Sequence, residues 1–320
     1  MPVDGRGQLT YHLAVSGLIT HAQWGSRHDW AVLRGMPVRR YEISMLSDAS
    51  ELTEFRTMLR PKAFGVHWPL YATDPRQLNL LQGDEASYTQ ALTLIAQRLR
   101  GTGAAYVLVH FPERGELWPG REIVGARLDA LADLARQLGL SIALEPKETI
   151  IQAGGAAARA ASRDAGMPHP GSATSAAAQY ATQALEGRVS GFRAFAERVT
   201  VLPDGVTFCL DVSDWQTACD NGNGWKAPTL GASAFHLHAR HVQPGGPFYR
   251  HAAPWVELRP EPGWTVRNVT PADLAALAAR GRPVWLCLEI VHHYLDRLPA
   301  ALTTVRRELA RAGWEERLDD

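Results

Sequence analysis

Eight short runs along the chain share one pattern: mostly apolar, rich in β-branched or aromatic residues, and closed by a polar or ionisable residue. They are "YHLAVSG" (11–17), "RRYEISML" (39–46), "AFGVHWP" (63–69), "AYVLVHFP" (105–112), "LSIALEP" (140–146), "VTFCLDVSD" (206–214), "AFHLHA" (234–239) and "VWLCLEI" (284–290). Near-continuous apolar strands of this kind are buried on both faces, which is the signature of a parallel sheet. Between most of them lie stretches with apolar residues at three- and four-residue spacing, including "DASELTEFRTMLR", "ASYTQALTLIAQRLR", "ARLDALADLARQLG", "AAQYATQALEGRVSGFRAFAERV", "TPADLAALAARG" and "LPAALTTVRRELARAG". Asp48 or Ser50 supplies an N-cap for the first, and Thr270 with Pro271 starts the fifth. Eight strands alternating with helices predict an α/β chain folded as a single (β/α)8 TIM barrel over residues 1–320. A doubly wound open sheet is the alternative, but no Gly-rich phosphate fingerprint follows an early strand.

Two segments break the rhythm, giving extended loops after the fifth and seventh strands. Residues 152–178, rich in Ala, Gly and Ser, read as a surface insertion or as a lid over the site. Residues 242–265, "VQPGGPFYRHAAPWVELRPEPGWT", are too long and too aromatic for a plain connector.

Composition narrows the setting. Lys plus Arg and Asp plus Glu both number 33, so the chain lacks the basic excess of a non-specific nucleic-acid binder. The three cysteines, Cys209, Cys219 and Cys287, have no C-x-x-C spacing, which argues against a disulfide framework and for a cytoplasmic setting. Neither a signal peptide nor a membrane-spanning run is expected. Nothing speaks to oligomeric state.

In a barrel the functional face is built from the C-terminal ends of the strands. Those ends carry His67, His110, Glu145, Asp211 (with Asp214 three further on), His236 with His238, and Glu289. In "AFHLHARH" (234–241), His236 and His238 are two apart and share a strand face, whereas His241 falls past the strand. Carboxylates buried together need a compensating cation, and a mixed His/Glu/Asp set suits zinc, manganese, iron or cobalt better than calcium.

This pattern resembles the xylose-isomerase-like barrel superfamily, which includes sugar isomerases and epimerases and endonuclease IV-type apurinic-site endonucleases. There a Glu ends the fifth strand, as in "ALEP", an Asp-x-x-His ends the sixth, a His closes the seventh and a Glu ends the eighth. The resemblance implies that Glu145, Asp211, His236 and Glu289 hold one metal ion. In the endonuclease branch His67 and His110 hold a second, with Glu145 bridging. A third ion in that branch uses the His of Asp-x-x-His and an Asp-x-His after strand seven. Here Asp214 and Tyr249 stand at the first two of those positions, and only His251 matches. The acid usual three residues after the seventh-strand ligand is Ala239 here.

Two reactions follow from the resemblance. One is metal-dependent isomerisation or epimerisation of a sugar or related hydroxy-carbonyl compound, with Glu145 and Glu289 moving the proton. The other is metal-dependent phosphodiester hydrolysis at a dinuclear site. Trp68, Phe111 and Trp215 sit beside the ligands as an apolar wall for a sugar ring or as core. Arg240 and Arg250 are placed to hold a phosphate or to remain solvated, and His238 to contact substrate or support a ligand.

Overall fold

The computed structural model describes residues 8–21, 26–75, 85–110, 120–147, 192, 195, 198–220, 231–242, 249–256 and 265–318. Eight parallel strands close into a barrel: β1 (Thr10–Ser16), β2 (Arg40–Ile43), β3 (Ala63–His67), β4 (Tyr106–His110), β5 (Ser141–Glu145), β6 (Val206–Asp211), β7 (Ala234–Leu237) and β11 (Val284–Leu288). Each pairs with the next in chain order, and β11 pairs with β1 from Tyr11↔Val284 to Val15↔Leu288 to shut the cylinder. A two-residue strand, β12 (Glu315–Glu316), adds to β1. All eight runs are therefore barrel strands, and the open-sheet alternative is excluded by the closing pair.

Helices α1 (Ala49–Leu59), α2 (Glu85–Leu99), α3 (Arg121–Leu138), α4 (Val212–Asp220), α5 (Pro271–Leu277) and α6 (Leu298–Arg311) lie between strands or after the last of the eight. Their ends follow local chemistry. The Asp48 carboxylate accepts from the backbone N–H of Ser50 and Glu51 to cap α1, and Thr270 and Asp273 form a reciprocal capping box on α5. Helix α3 stops at Gly139, whose left-handed φ of 66° a side chain would resist. Of the helix expected over 177–199, the described Phe192 and Phe195 are buried in the core. The insertion at 152–178 lies outside the described residues.

The segment after β7 is more than a connector. Its β8 (Ala239–Val242), β9 (Tyr249–Ala252) and β10 (Thr265–Arg267) form a separate three-stranded antiparallel sheet, ordered β10-β8-β9. Among the described residues no helix is long and apolar enough to cross a membrane. All three cysteines are free.

The larger core cluster gathers apolar residues of both strands and helices, and a smaller one, Tyr106, Leu108, Ala143, Cys209 and Ala234, fills the barrel itself. Period-two alternation then fixes what stands above that inner plug: His110 above Leu108, Glu145 above Ala143, Asp211 above Cys209, and His236 above Ala234. The strand alternation thus delivers the ionisable strand ends to one mouth.

Just beyond β1, a turn of 3-10 helix (Gly17–Thr20) leads to a buried histidine, His28, stacked on Trp30 with ring centroids 4.2 Å apart. Its Nε2 donates to the Ser44 carbonyl at 2.8 Å, and its Nδ1 lies 2.6 Å from the oxygen of the Thr20 hydroxyl, which itself donates to the Gly17 carbonyl at 2.7 Å. Burial, reinforced by the neighbouring His21, pushes its pKa down to about 3, against roughly 6.5 in an unfolded chain. The unfolded state therefore takes up a proton on acidification that the folded state refuses. The stability His28 contributes is complete above about pH 6.5 and is lost as pH falls, by up to about 1.4 kcal/mol per pH unit. Urea melts at pH 7 and pH 5 should show a smaller loss for His28→Gln than for the parent. Equal losses would refute the assignment.

Candidate metal centre

Glu145 is the hub of the mouth. It is fully buried at the end of β5. Its Oε1 lies 2.8 Å from Lys147 Nζ and 3.1 Å from His236 Nδ1, and its Oε2 lies 3.1 Å from His110 Nε2 and 3.8 Å from His67 Nε2. Burial raises its pKa, but Lys147, His236 and His110 outweigh burial and hold the carboxyl well below its ordinary range. His67 is oriented by a 3.1 Å contact from Nδ1 to the Trp68 carbonyl, which turns Nε2 toward the mouth. Burial, then the nearby His110, lowers its pKa to about 4, so it is neutral at physiological pH, the form that ligates metals.

On β6, Asp211 Oδ1 accepts from the backbone N–H of Ser213 at 2.7 Å and of Asp214 at 3.1 Å, pinning the carboxylate at the start of α4. Its Oδ2 is buried and accepts no hydrogen bond among the described residues. Glu289, just past β11, has Oε2 3.6 Å from His236 Nδ1 and 3.0 Å from His251 Nδ1. Burial raises the Glu289 pKa, yet His236 and His251 carry the net direction well below the ordinary value.

His236 lies within β7 and His238 one residue past its end, and each has its own support. His236 Nε2 meets Glu42 Oε1 at 2.9 Å, and Glu42 Oε2 accepts the Tyr106 hydroxyl at 2.7 Å. Nδ1 is thereby aimed at Glu145 and Glu289, the carboxylate–histidine arrangement that fixes a ligand's tautomer and orientation. Burial opposes protonation of His236, but Glu42, Glu289 and Glu145 prevail and hold its pKa well above the ordinary value. His238 Nε2 lies 2.6 Å from Ser213 Oγ, and its ring stacks on His251 at 3.9 Å with an interplanar angle of 5°.

The structure thus brings His67, His110, Glu145, Asp211, His236 and Glu289 together, with His238 and His251 beside them. Ligand atoms fall within 4.8 Å of one another in overlapping groups, among them His67–His110–Glu145, Glu145–Asp211–His236, His67–His236–Glu289 and Asp211–His238–His251–Glu289. Imidazoles beside buried carboxylate oxygens without hydrogen bonds are the donor set a divalent transition ion takes. Asp214 is spoken for: Lys147 Nζ sits 3.2 Å away, so an ion pair occupies the place where the endonuclease branch has a histidine ligand. Trp68 is buried in the core, its indole N–H donating to the Pro75 carbonyl at 3.0 Å, and Trp215 packs half-buried against the same core. Arg240 Nη1 pairs with Asp220 at 3.2 Å. Phe111 and the side chain of Arg250 lie outside the described residues.

Two site residues escaped the sequence reading. Glu42 lies inside β2 rather than at its end, and Lys147 lies two residues past β5, folding back over Glu145. An acid inside an otherwise apolar strand was the available signal for the first. A lysine just beyond a strand-end glutamate was the signal for the second.

No protein-family model matches the sequence, and no curated protein matches it. Solved structures do. A D-tagatose 3-epimerase-like protein is 15% identical, with a TM-score of 0.56 over 94% of this chain and 97% of that one. The IolI protein with a bound zinc atom is 16% identical, with a TM-score of 0.54 and the same coverage, 94% and 97%. A xylose isomerase domain-containing protein of Salmonella typhimurium LT2 is 11% identical, with a TM-score of 0.51 over 96% and 99%. The architecture is a (β/α)8 barrel. These solved structures share that fold with it.

Proposed function

We propose that the chain is a divalent-metal-dependent isomerase or epimerase acting on a sugar or related hydroxy-carbonyl compound. The observation that carries this reading is the pair Glu145 and Glu289, two ionised carboxylates 3.1 and 3.6 Å from the same nitrogen, His236 Nδ1. The likeness to an epimerase-like protein and a xylose isomerase domain-containing protein supports the substrate class, and the zinc of IolI supports the metal. On this reading Glu145, Asp211, His236 and Glu289 hold one ion of zinc, manganese, cobalt or iron, and His67 and His110 with Glu145 hold a second when one is present. The chain is then a single cytoplasmic barrel domain, 1–320, working on a small molecule.

When bound, the ion supplies positive charge for a carbonyl oxygen that gains negative charge as the adjacent C–H is broken. The protein's own groups do the rest. One carboxylate takes the proton from carbon; for epimerisation the other delivers a proton to the same carbon from the opposite face, and for isomerisation a proton is returned to the neighbouring carbon while the hydroxyl proton passes to the former carbonyl oxygen. Lys147 keeps Glu145 ionised for that role, while Glu42 and Tyr106 hold His236 in place. Incubation of the metal-loaded protein with a panel of ketoses and aldoses in D2O should incorporate deuterium next to the carbonyl. A chelator should stop the exchange and added metal restore it. Absence of exchange across the panel by metal-loaded protein counts against the proposal.

A second reading, a dinuclear phosphodiesterase, is favoured by one observation, the His67–His110–Glu145 group. The Lys147–Asp214 pair weighs against the trinuclear form of that chemistry. Cleavage of abasic-site DNA in proportion to enzyme would support this second reading.

A further inference from the structure

The connection from β1 to β2 buries two histidines against each other. His21 and His28 are 5% and 4% exposed, with ring centroids 3.7 Å apart, and neither belongs to the ligand groups of the mouth. We propose that this connection is an acid-released latch. Protons taken up at His21 and His28 free its two 3-10 turns, Gly17–Thr20 and Trp30–Leu33, from the rim of the barrel. The latch goes beyond the reaction assigned to the mouth and needs no metal ion.

Few side chains fasten these turns. His28 Nε2 donates to the Ser44 carbonyl just past β2 at 2.8 Å, and the His28 backbone N–H donates to Glu51 Oε1 of α1 at 2.7 Å. His292, from the turn after β11, meets the Ile19 carbonyl at 2.8 Å. The His28 ring stacks on Trp30, which is buried against Phe55 at 4.9 Å. The Asp29 N–H on the Thr20 carbonyl, at 3.2 Å, joins one turn to the other.

The pair lacks a free anion to meet a proton. Glu51, whose charge reaches His21, is fully buried, and both its oxygens are committed to backbone N–H groups, Oε1 to His28 and Oε2 to Ser47 at 2.6 Å. Asp48 and Glu54 face Arg27 on the outside, at 3.9 and 2.8 Å. The Glu42 carboxylate is taken up by His236 and Tyr106 inside the barrel. A proton on either ring therefore puts charge into an apolar pocket, and a second one beside it adds repulsion. Burial accordingly lowers the pKa of both rings, although the Ser26 backbone and Glu51 favour charge on His21. Once the latch opens, each imidazole titrates near its ordinary value of roughly 6.5. The open form then binds protons that the closed form refuses. Opening gains as pH falls below about 6.5, by up to about tenfold per pH unit for each histidine, and the latch is shut at neutral pH.

The latch is rooted where the barrel positions Glu42. Strands β1 and β2 pair at Val15↔Tyr41 and Ser16↔Glu42, and Ser16 Oγ caps the first turn by accepting the Leu18 N–H at 3.2 Å. Ser44, which His28 holds, lies two residues beyond Glu42. Opening loosens both flanks of the residue that aims His236 at the mouth, so acid withdraws activity before it unfolds the barrel. That consequence rests on the metal-dependent reading; the latch itself does not.

Amide hydrogen exchange at pH 7 and pH 5, expressed as protection factors, tests the latch without any assay of activity. In the parent chain the His21, His28 and Asp29 amides, bonded to Leu18, Glu51 and Thr20, should lose protection by more than about 20-fold, the share of a single histidine. Amides of β3 and β4 should keep theirs. His21→Phe, which preserves the ring contact, and His28→Gln should each reduce the loss, and the double variant should abolish it. If the double variant does not fold, the two single variants decide. Latch amides that follow the barrel amides in the parent, whether both hold or both fail, would overturn the latch. So would an acid response left unchanged in both single variants.

Discussion

Glu145→Gln is expected to slow solvent-deuterium exchange into substrate by on the order of 10²–10⁴-fold, the usual cost of removing a proton-transfer group. Metal content should fall in the same variant, because one side chain serves both tasks. Its Oε1 faces Lys147 and His236 while its Oε2 faces His67 and His110. The neutral amide fills the same volume, so packing survives. The cations left behind retain partners: Lys147 keeps Asp214 at 3.2 Å, and His236 keeps Glu42 at 2.9 Å. The loss should therefore appear in exchange rate and metal stoichiometry with little change in secondary structure. Glu145→Asp, which keeps the charge but withdraws it by one methylene, should recover metal binding more than rate. Exchange at the parental rate in Glu145→Gln would remove Glu145 from the mechanism.

Why was so much of this mouth legible from the sequence? A barrel strand buried on both faces is apolar until it reaches the rim, so the first ionisable residue marks the end of the strand and the functional face together. His67, His110, Glu145 and Asp211 each close a strand in this way, and Glu289 directly follows one. The same rule hides Glu42. Lying within β2, it appears as one polar interruption in "RYEI", and its burial makes sense only once Tyr106 from β4 and His236 from β7 arrive on either side. No local pattern announces a contact between residues 42 and 236. Lys147 is hidden for another reason: it is a cation among groups sought as cation ligands, and its partners Asp211 and Asp214 come from a different strand and helix. The long segment after β7 was conspicuous by length, but that it pairs with itself and hands His251 to Glu289 depends on an antiparallel register the parallel barrel does not suggest.

Gly65→Ala should be among the most damaging single-methyl additions to the barrel. Gly65 lies two residues before His67 on the inner face of β3 and pairs with Tyr106 of β4 and Glu42 of β2. A Cβ at this position would overlap the Tyr106 ring itself, not the tip of a flexible side chain. The ring cannot retreat cheaply, since it packs edge-on against Trp285 with centroids 5.0 Å apart and is 4% exposed. Overpacking of this kind costs about 1–3 kcal/mol. Moving the ring also breaks the hydroxyl's bond to the Glu42 carboxylate, a charge-assisted contact of about 1.5–3 kcal/mol. A combined loss of about 3–5 kcal/mol lowers Tm by roughly 10 °C in a chain of this size. The damage propagates upward, because Glu42 is what aims His236 at Glu145 and Glu289, so cobalt affinity should fall with stability. Tyr106→Leu in the Gly65→Ala background separates the two effects. It relieves the overlap and should recover much of Tm, but without a hydroxyl on Glu42 it should not recover cobalt affinity. A Gly65→Ala variant that melts within a degree or two of the parent would mean that the glycine is not there to admit the Tyr106 ring.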